Sequence, residues 1–183
     1  MGIKRWTANK DTTIANAYKP SLTARGNNAN MGGSDILEVF SIYAQASTSS
    51  IEESRILINF PISEVSSSRA NSKIPESGSV DFYLRMFNAE HSETLPVDYN
   101  LQIAAITQSW AEGYGKDMEE YSDKGVSDGG LGATWLSASS AVPWWPSFDA
   151  AEGQGPIHTG TSANNHRYDF TASIGSEGSD DVD

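Results

Sequence analysis

The stretch "ITQSWAEGYG" (106–115) sets Trp110 two residues before Glu112 and follows them with Gly113 and Gly115. An aromatic ring beside a carboxylate can stack a sugar and protonate its glycosidic oxygen, with Asp117, Glu119 or Glu120 as the second acid. Such a pair must stand at a set separation across the sugar, and neighbours in a polar loop do not establish that separation. The expectation is therefore that the loop acids are solvated. Glu112 is expected to be a turn acid that accepts hydrogen bonds from backbone donors as the chain leaves a strand. "GVSDG" (125–129) fits a nucleophile elbow around Ser127, with Asp149 and His158 following in hydrolase order. An elbow needs a buried strand before it and a helix after it, whereas polar turn residues lie on both sides here. No catalytic residue is assigned, and an enzyme is not expected.

Other side chains are candidates for binding. Trp135, Trp144 and Trp145 could stack on sugar faces or anchor a protein interface. Core packing is the alternative for Trp135, while "PWWP", bracketed by prolines, is expected to pack on a partner or to cover one end of the fold. Asp117, Asp123 and Asp128 in a Gly-rich loop offer the hard oxygen ligands that calcium takes, without the spacing or the terminal glutamate of an EF-hand. His91, His158 and His166 lack the spacing of a zinc site and are expected to be loop residues.

Charge narrows the partners. A net charge of −12 over 183 residues argues against general nucleic-acid binding. The first 25 residues run the other way: Lys4, Arg5, Lys10, Lys19 and Arg25 against Asp11 give 5 − 1 = +4. A basic arm that includes Lys4, Arg5 and Trp6, on an acidic body, suggests docking on an acidic surface such as a neighbouring copy. A solvated terminus is the alternative. There is no cysteine, so disulfides and thiolate metal sites are excluded. "MGIKRWTANKDTT" has no apolar signal core, no later run is long enough to span a bilayer, and no Asn-x-Ser/Thr sequon occurs. Synthesis in the cytosol without ordinary secretion or membrane insertion is expected. Trp6 stands where a myristoylation signal needs Ser or Thr.

The elements that must position these residues read as strands. Apolar residues recur with a period of two between clusters of Gly, Pro, Asn and Ser. "DTTIANAY" (11–18) is a short opening strand before the turn-rich "TARGNNANMGGSD". "ILEVFSIYA" (36–44) is nearly continuous in apolar residues, which predicts burial on both faces. "SRILINFPI" (54–62) alternates, with Ile56, Ile58 and Phe60 on one face and Arg55, Leu57 and Asn59 on the other, until Pro61 ends the pairing. A single helical turn is expected from Ser63. "SVDFYLRMFNA" (79–89) predicts a strand with Val80, Phe82, Leu84 and Met86 on one face. "YNLQIAAI" (99–106) predicts another that carries Leu101 and Ile103 inward and leads to an inward Trp110. "TWL" (134–136) and "RYDFTASI" (167–174) complete the strands. No segment has helical periodicity long enough for a core helix, so the fold class is all-β. The domain plan is a basic arm over 1–10, one β domain over 11–174 and an acidic tail, "GSEGSDDVD", over 175–183. The long loops suggest function or a partner.

These segments, in this order, resemble the DNRLRE-type or disaggregatase-related β-sandwich domains, jelly rolls akin to some carbohydrate-binding modules. "DTTI" is similar to the family's opening strand, "NMGGSDILEV" to its Asn-x-Gly turn and Leu-x-Val strand, and "SRILINF" to its Arg-x-Leu-Leu-x-Phe signature. "VDFYLRMF" stands in place of its next alternating strand, "ITQSWAEG" resembles its Trp-x-Glu element, and "ATW" trails as it does there. The family usually continues with further strands, whereas this chain stops at "SDDVD". The sandwich is then completed differently, completed by a partner chain, or interrupted because the chain is a fragment. A missing strand would leave an edge open to strand addition.

The resemblance implies an antiparallel jelly-roll-like sandwich and allows one structural calcium at Asp117, Asp123 and Asp128; no other cofactor is expected. The function expected first is that of a non-enzymatic virion structural protein, a bacteriophage neck, tail or fibre component made in the host cytoplasm. Such a subunit would contact other virion proteins and copies of itself through Lys4, Arg5, Trp6 and the tryptophans. A carbohydrate-binding module that takes host-surface polysaccharide through Trp135, Trp144 or Trp145 is the second expectation. A polysaccharide-degrading enzyme is the third.

Overall fold

The computed structural model describes residues 3–75, 80–90, 99–102, 106, 108–116, 132–140, 142–144 and 171–174. The β-branched run Thr12-Thr13-Ile14 suits a pleated strand and lies in β1 (Lys10–Ala15). β2 (Ser41–Tyr43) and β3 (Ile51–Asn59) follow, then α1 (Ile62–Ala70), β4 (Tyr99–Gln102), β5 (Ser137–Ser139), β6 (Val142–Pro143) and β7 (Thr171–Ile174). Every pairing among the described strands is antiparallel. The regular secondary structure of the described residues is thus mainly strand, with one short helix. None of their helices is long and apolar enough to cross a membrane.

The chain forms two compact units. The first comprises Met1–Ile62 and Gln108–Ile157, the second Ser63–Thr107 and His158–Asp183. In the first, β3 is the central strand of a β1-β3-β2 sheet, paired from Lys10↔Asn59 to Ala15↔Ser54 on one side and from Ser41↔Glu53 to Tyr43↔Ile51 on the other. β5 and β6 form a short irregular hairpin. The buried apolar cluster of this unit contains Ile14, Leu57, Trp110, Ala133, Trp135, Ala138 and Trp144, with Leu136 partly buried against it. Three indoles supply most of its volume, and two alanines leave room for them. Truncating a buried Trp to Ala costs about 3–5 kcal/mol, so the cluster is the main apolar source of stability in this unit.

In the second unit β4 pairs with β7, from Tyr99↔Ile174 to Gln102↔Thr171. α1 runs to Ala70, well beyond the single turn expected, although its sequence has no apolar stripe. Its ends explain this. Glu64 in the first turn and Arg69 in the last complement the helix dipole. Past the last turn Lys73 N–H donates to Ser68 O at 2.8 Å and Ser72 N–H to Arg69 O at 2.9 Å, the paired bonds of a Schellman cap.

Three expectations change. Residues 80–90 form no strand, and Phe82 and Phe87 are exposed; alternation marks a chain able to pair, but does not supply the partner. The 36–44 segment is strand only at Ser41–Tyr43 and lies at a sheet edge with Ile36, Val39, Ile42 and Tyr43 exposed, not buried on both faces. Part of its backbone bonds to side chains in place of a ladder: Glu38 N–H donates to Thr13 Oγ1 and Phe40 N–H to Ser54 Oγ. "TWL" is a bend, and the strand begins one residue later, at Ser137.

Ser72 holds the left-handed position of the Schellman cap at φ 54°. A side chain there costs more than the extra chain entropy of glycine, so Ser72→Gly is expected to stabilise by about 0.5 kcal/mol. Urea unfolding should show a higher midpoint for Ser72→Gly and a lower one for Ser72→Val.

Candidate functional site

Asn30 is 1% exposed, and its side chain joins three separate stretches. Its Nδ2 donates to Glu112 O and to Ala133 O, each at 2.8 Å, while its Oδ1 accepts from Gly115 N–H at 2.9 Å and Gly32 N–H at 3.3 Å. All four hydrogen-bonding positions of the amide are used. The surrounding backbone has to come very close. A Cβ on Gly32 would collide with the carbonyl of Glu112, and Gly113, at φ +82°, would set one against the Asn30 amide and the Cα of Gly132.

The strands converge on the same corner. Ala111 N–H donates to Ala138 O at 2.9 Å, Ala133 N–H to Ala111 O at 2.6 Å and Gly33 N–H to Gly115 O at 2.8 Å. Glu112 Oε1 accepts from Asp11 N–H at 2.9 Å, which fastens the corner to the start of β1. Glu112 therefore has the place expected of a turn acid that caps a backbone donor. Trp110 is buried, as expected, but β4 ends at Gln102, eight residues before it.

Trp135 and Trp144 are each 1% exposed. Trp144 Nε1 donates to Thr134 O at 2.9 Å, and the Arg55 guanidinium lies 4.7 Å from the centre of the Trp135 ring. Burial pulls the Arg55 pKa down, and Glu53, 3.9 Å away, pulls it up. These rings are core and present no open face to a sugar or a partner. Trp144, expected to pack on a partner or to cover one end of the fold, lies in the buried cluster, directly after β6. Lys4 and Arg5 are exposed and Trp6 is half-buried, all outside regular structure. Trp145, Asp117, Asp123, Asp128, Glu119, Glu120, Ser127, Asp149, His91, His158 and His166 lie outside the described residues. Among the described residues no group of three His, Asp or Glu is placed to hold a metal ion.

Reading the sequence missed Asn30, Asp11 and Glu52. Glu52 is 1% exposed, where a solvated strand acid would be expected. Its Oε2 accepts from Tyr18 N–H at 2.8 Å, and the Gln45 amide, with its nitrogen toward the carboxylate, donates at 2.6 and 3.0 Å. Like Glu112, it serves as an acceptor for backbone that leaves the sheet. Burial raises the Asp11 pKa, and the charge of Glu112 raises it further. The two carboxylates thus repel beside the bond that Asp11 N–H donates to Glu112 Oε1.

Comparison with known proteins returned no matching family model, no matching curated protein and no matching solved structure. Asn30, Glu112 and Ala133, which meet here, lie in "NMGG", "SWAEG" and "ATW", and Gly115 follows two residues after "SWAEG".

Asn30→Ala leaves two carbonyls and two amide N–H groups without their partner. At about 1–3 kcal/mol for each unsatisfied buried group, a loss of about 3 kcal/mol or more is expected in urea unfolding. Asn30→Asp aims a carboxylate at those carbonyls, which raises its folded pKa. It should be the weaker of the two variants at pH 7.5 and recover part of its stability at pH 5. Asp11 obeys the same sign. Its raised folded pKa gives a contribution present below the unfolded value and lost as pH rises through the folded one, so ionised Asp11 destabilises. Asp11→Asn should melt higher than the parent at pH 7, and the difference should close as both are titrated below pH ~4.

Proposed function

We propose that this chain is a non-enzymatic structural subunit of a virion, a component of a bacteriophage neck, tail or fibre, built as a jelly-roll-like sandwich. The observation that supports it best is where the chemically suggestive side chains of the described residues are spent. Trp110, Trp135 and Trp144 fill the core, and Glu112 caps a strand. What these residues leave exposed is a short edge strand with apolar neighbours and a basic arm, the features by which subunits join. The resemblance to DNRLRE-type domains and the cysteine-free composition agree with a protein that leaves the cell within a particle.

The test is the company the protein keeps. Particles purified from cells that make the chain should contain it in a fixed ratio to neck, tail or fibre proteins by mass spectrometry, and the isolated chain should self-associate. Particles that lack it would overturn the reading. Retention on a polysaccharide that Trp145→Ala abolishes, with the chain monomeric, would install a carbohydrate-binding module in its place. Polysaccharide cleavage lost in Glu112→Gln would install an enzyme.

A further inference from the structure

The edge of β2 offers a strand-pairing site, and the register shows which atoms it presents. Ser54 N–H donates to Phe40 O at 3.1 Å and Ala44 N–H to Ser50 O at 2.8 Å, so 40/54 and 44/50 are hydrogen-bonded pairs on either side of Ile42↔Glu52. Ser41↔Glu53 and Tyr43↔Ile51 are then the alternate pairs, whose backbone N–H and C=O groups point away from β3. Ser41 and Tyr43 therefore turn two donors and two acceptors outward on a strand that is solvent-exposed throughout. Ile36, Val39, Ile42 and Ile51, all exposed, surround them, with Asp35 and Glu38 exposed beside them. The sequence from 26 to 54 holds Asp35, Glu38, Glu52 and Glu53 and no Lys or Arg, a charge of −4 opposite the +4 of residues 1–25.

The matching segment is the arm. Residues 3–8 lie outside any strand, with Ile3, Lys4, Arg5 and Thr7 exposed, and the buried Trp6 Nε1 has no acceptor among the described residues. The arm cannot serve its own edge. It leaves β1 beside Asn59, where Asn9 N–H donates to Asn59 O at 2.9 Å, and it does so on the flank of β3 opposite β2. From Asn59 back to Glu53 is about 20 Å along the strand, whereas the five residues from Lys10 to Arg5 reach about 17 Å fully extended. We propose that the extended basic arm of one copy, centred on Lys4 and Arg5, adds as a strand to the β2 edge of a second copy. Lys4 and Arg5 there face Asp35 and Glu38, and Trp6 covers the apolar residues. Different surfaces meet in this contact, so it is head-to-tail and builds a ring or a row of subunits.

The inference deepens the assembly reading and rests on it. Because the chain has no cysteine, Thr7→Cys and Tyr43→Cys chains can be mixed and joined by a short bis-maleimide. A crosslink between the two kinds of chain, exceeding either self-crosslink at least tenfold, is expected. Ser41→Pro removes one outward N–H and leaves the β2–β3 bonds intact, so sedimentation should show at least tenfold weaker association with unchanged folding. Lys4→Glu combined with Arg5→Glu should weaken association as far, and Glu38→Lys in the partner should restore part of it; added salt should weaken the parent. Oligomers without the mixed crosslink, or an intrachain crosslink in the Thr7→Cys, Tyr43→Cys double variant at high dilution, would overturn the arm-to-edge contact and leave assembly standing. A parent chain monomeric at every concentration would sink both.

Discussion

A single buried amide sets the conditions for the first unit. Asn30 satisfies two carbonyls and two amide N–H groups that no strand ladder reaches, at a point where three stretches of chain cross. Backbone cannot be packed into an apolar interior unless its polar groups are matched, and a short side chain with two donors and one doubly accepting oxygen performs that match with little volume. The glycines follow from it, because a Cβ at Gly32 or Gly113 would occupy the space of the crossing. So does the depth of the indoles: Ala133 accepts from Asn30 and stands next to Thr134, whose carbonyl receives the Trp144 indole.

The same economy governs the acids. Glu112 and Glu52 each turn a carboxylate oxygen to a backbone N–H near one end of β1, that of Asp11 at its start and that of Tyr18 past its end. Charge-assisted bonds of this kind are stronger than neutral ones, and they suit a fold in which the described strands are as short as two or three residues. Glu112, which the sequence sets beside Trp110 as a candidate acid, is one of these fastenings.

Sequence reading worked where local pattern and burial agree. Thr12-Thr13-Ile14 is β-branched and buried, and β1 is found there; "SRILINF" alternates and carries most of β3. It failed where partners decide. "VDFYLRMF" alternates as well as any strand, yet residues 80–90 are not one. "ILEVFSIYA" is as apolar as a central strand, yet only three of its residues are strand, at an edge. The corner was half legible. Glu112 and Trp110 could be placed from composition and spacing, but Asn30 looked like one more turn asparagine, because its role depends on carbonyls 82 and 103 residues away.

That separation has a bearing on how the protein is made. The first unit draws on Met1–Ile62 and again on Gln108–Ile157, with 63–107 translated between them. At about 5–20 residues per second, a nascent chain spends several seconds with Asn30 complete and its distant acceptors not yet synthesised. The N-terminal sheet must wait through that interval with one side of its core uncovered. Closure of the unit is therefore a late, long-range event with a large loop entropy, which gives chaperones and premature strand pairing their opportunity before the knot is tied.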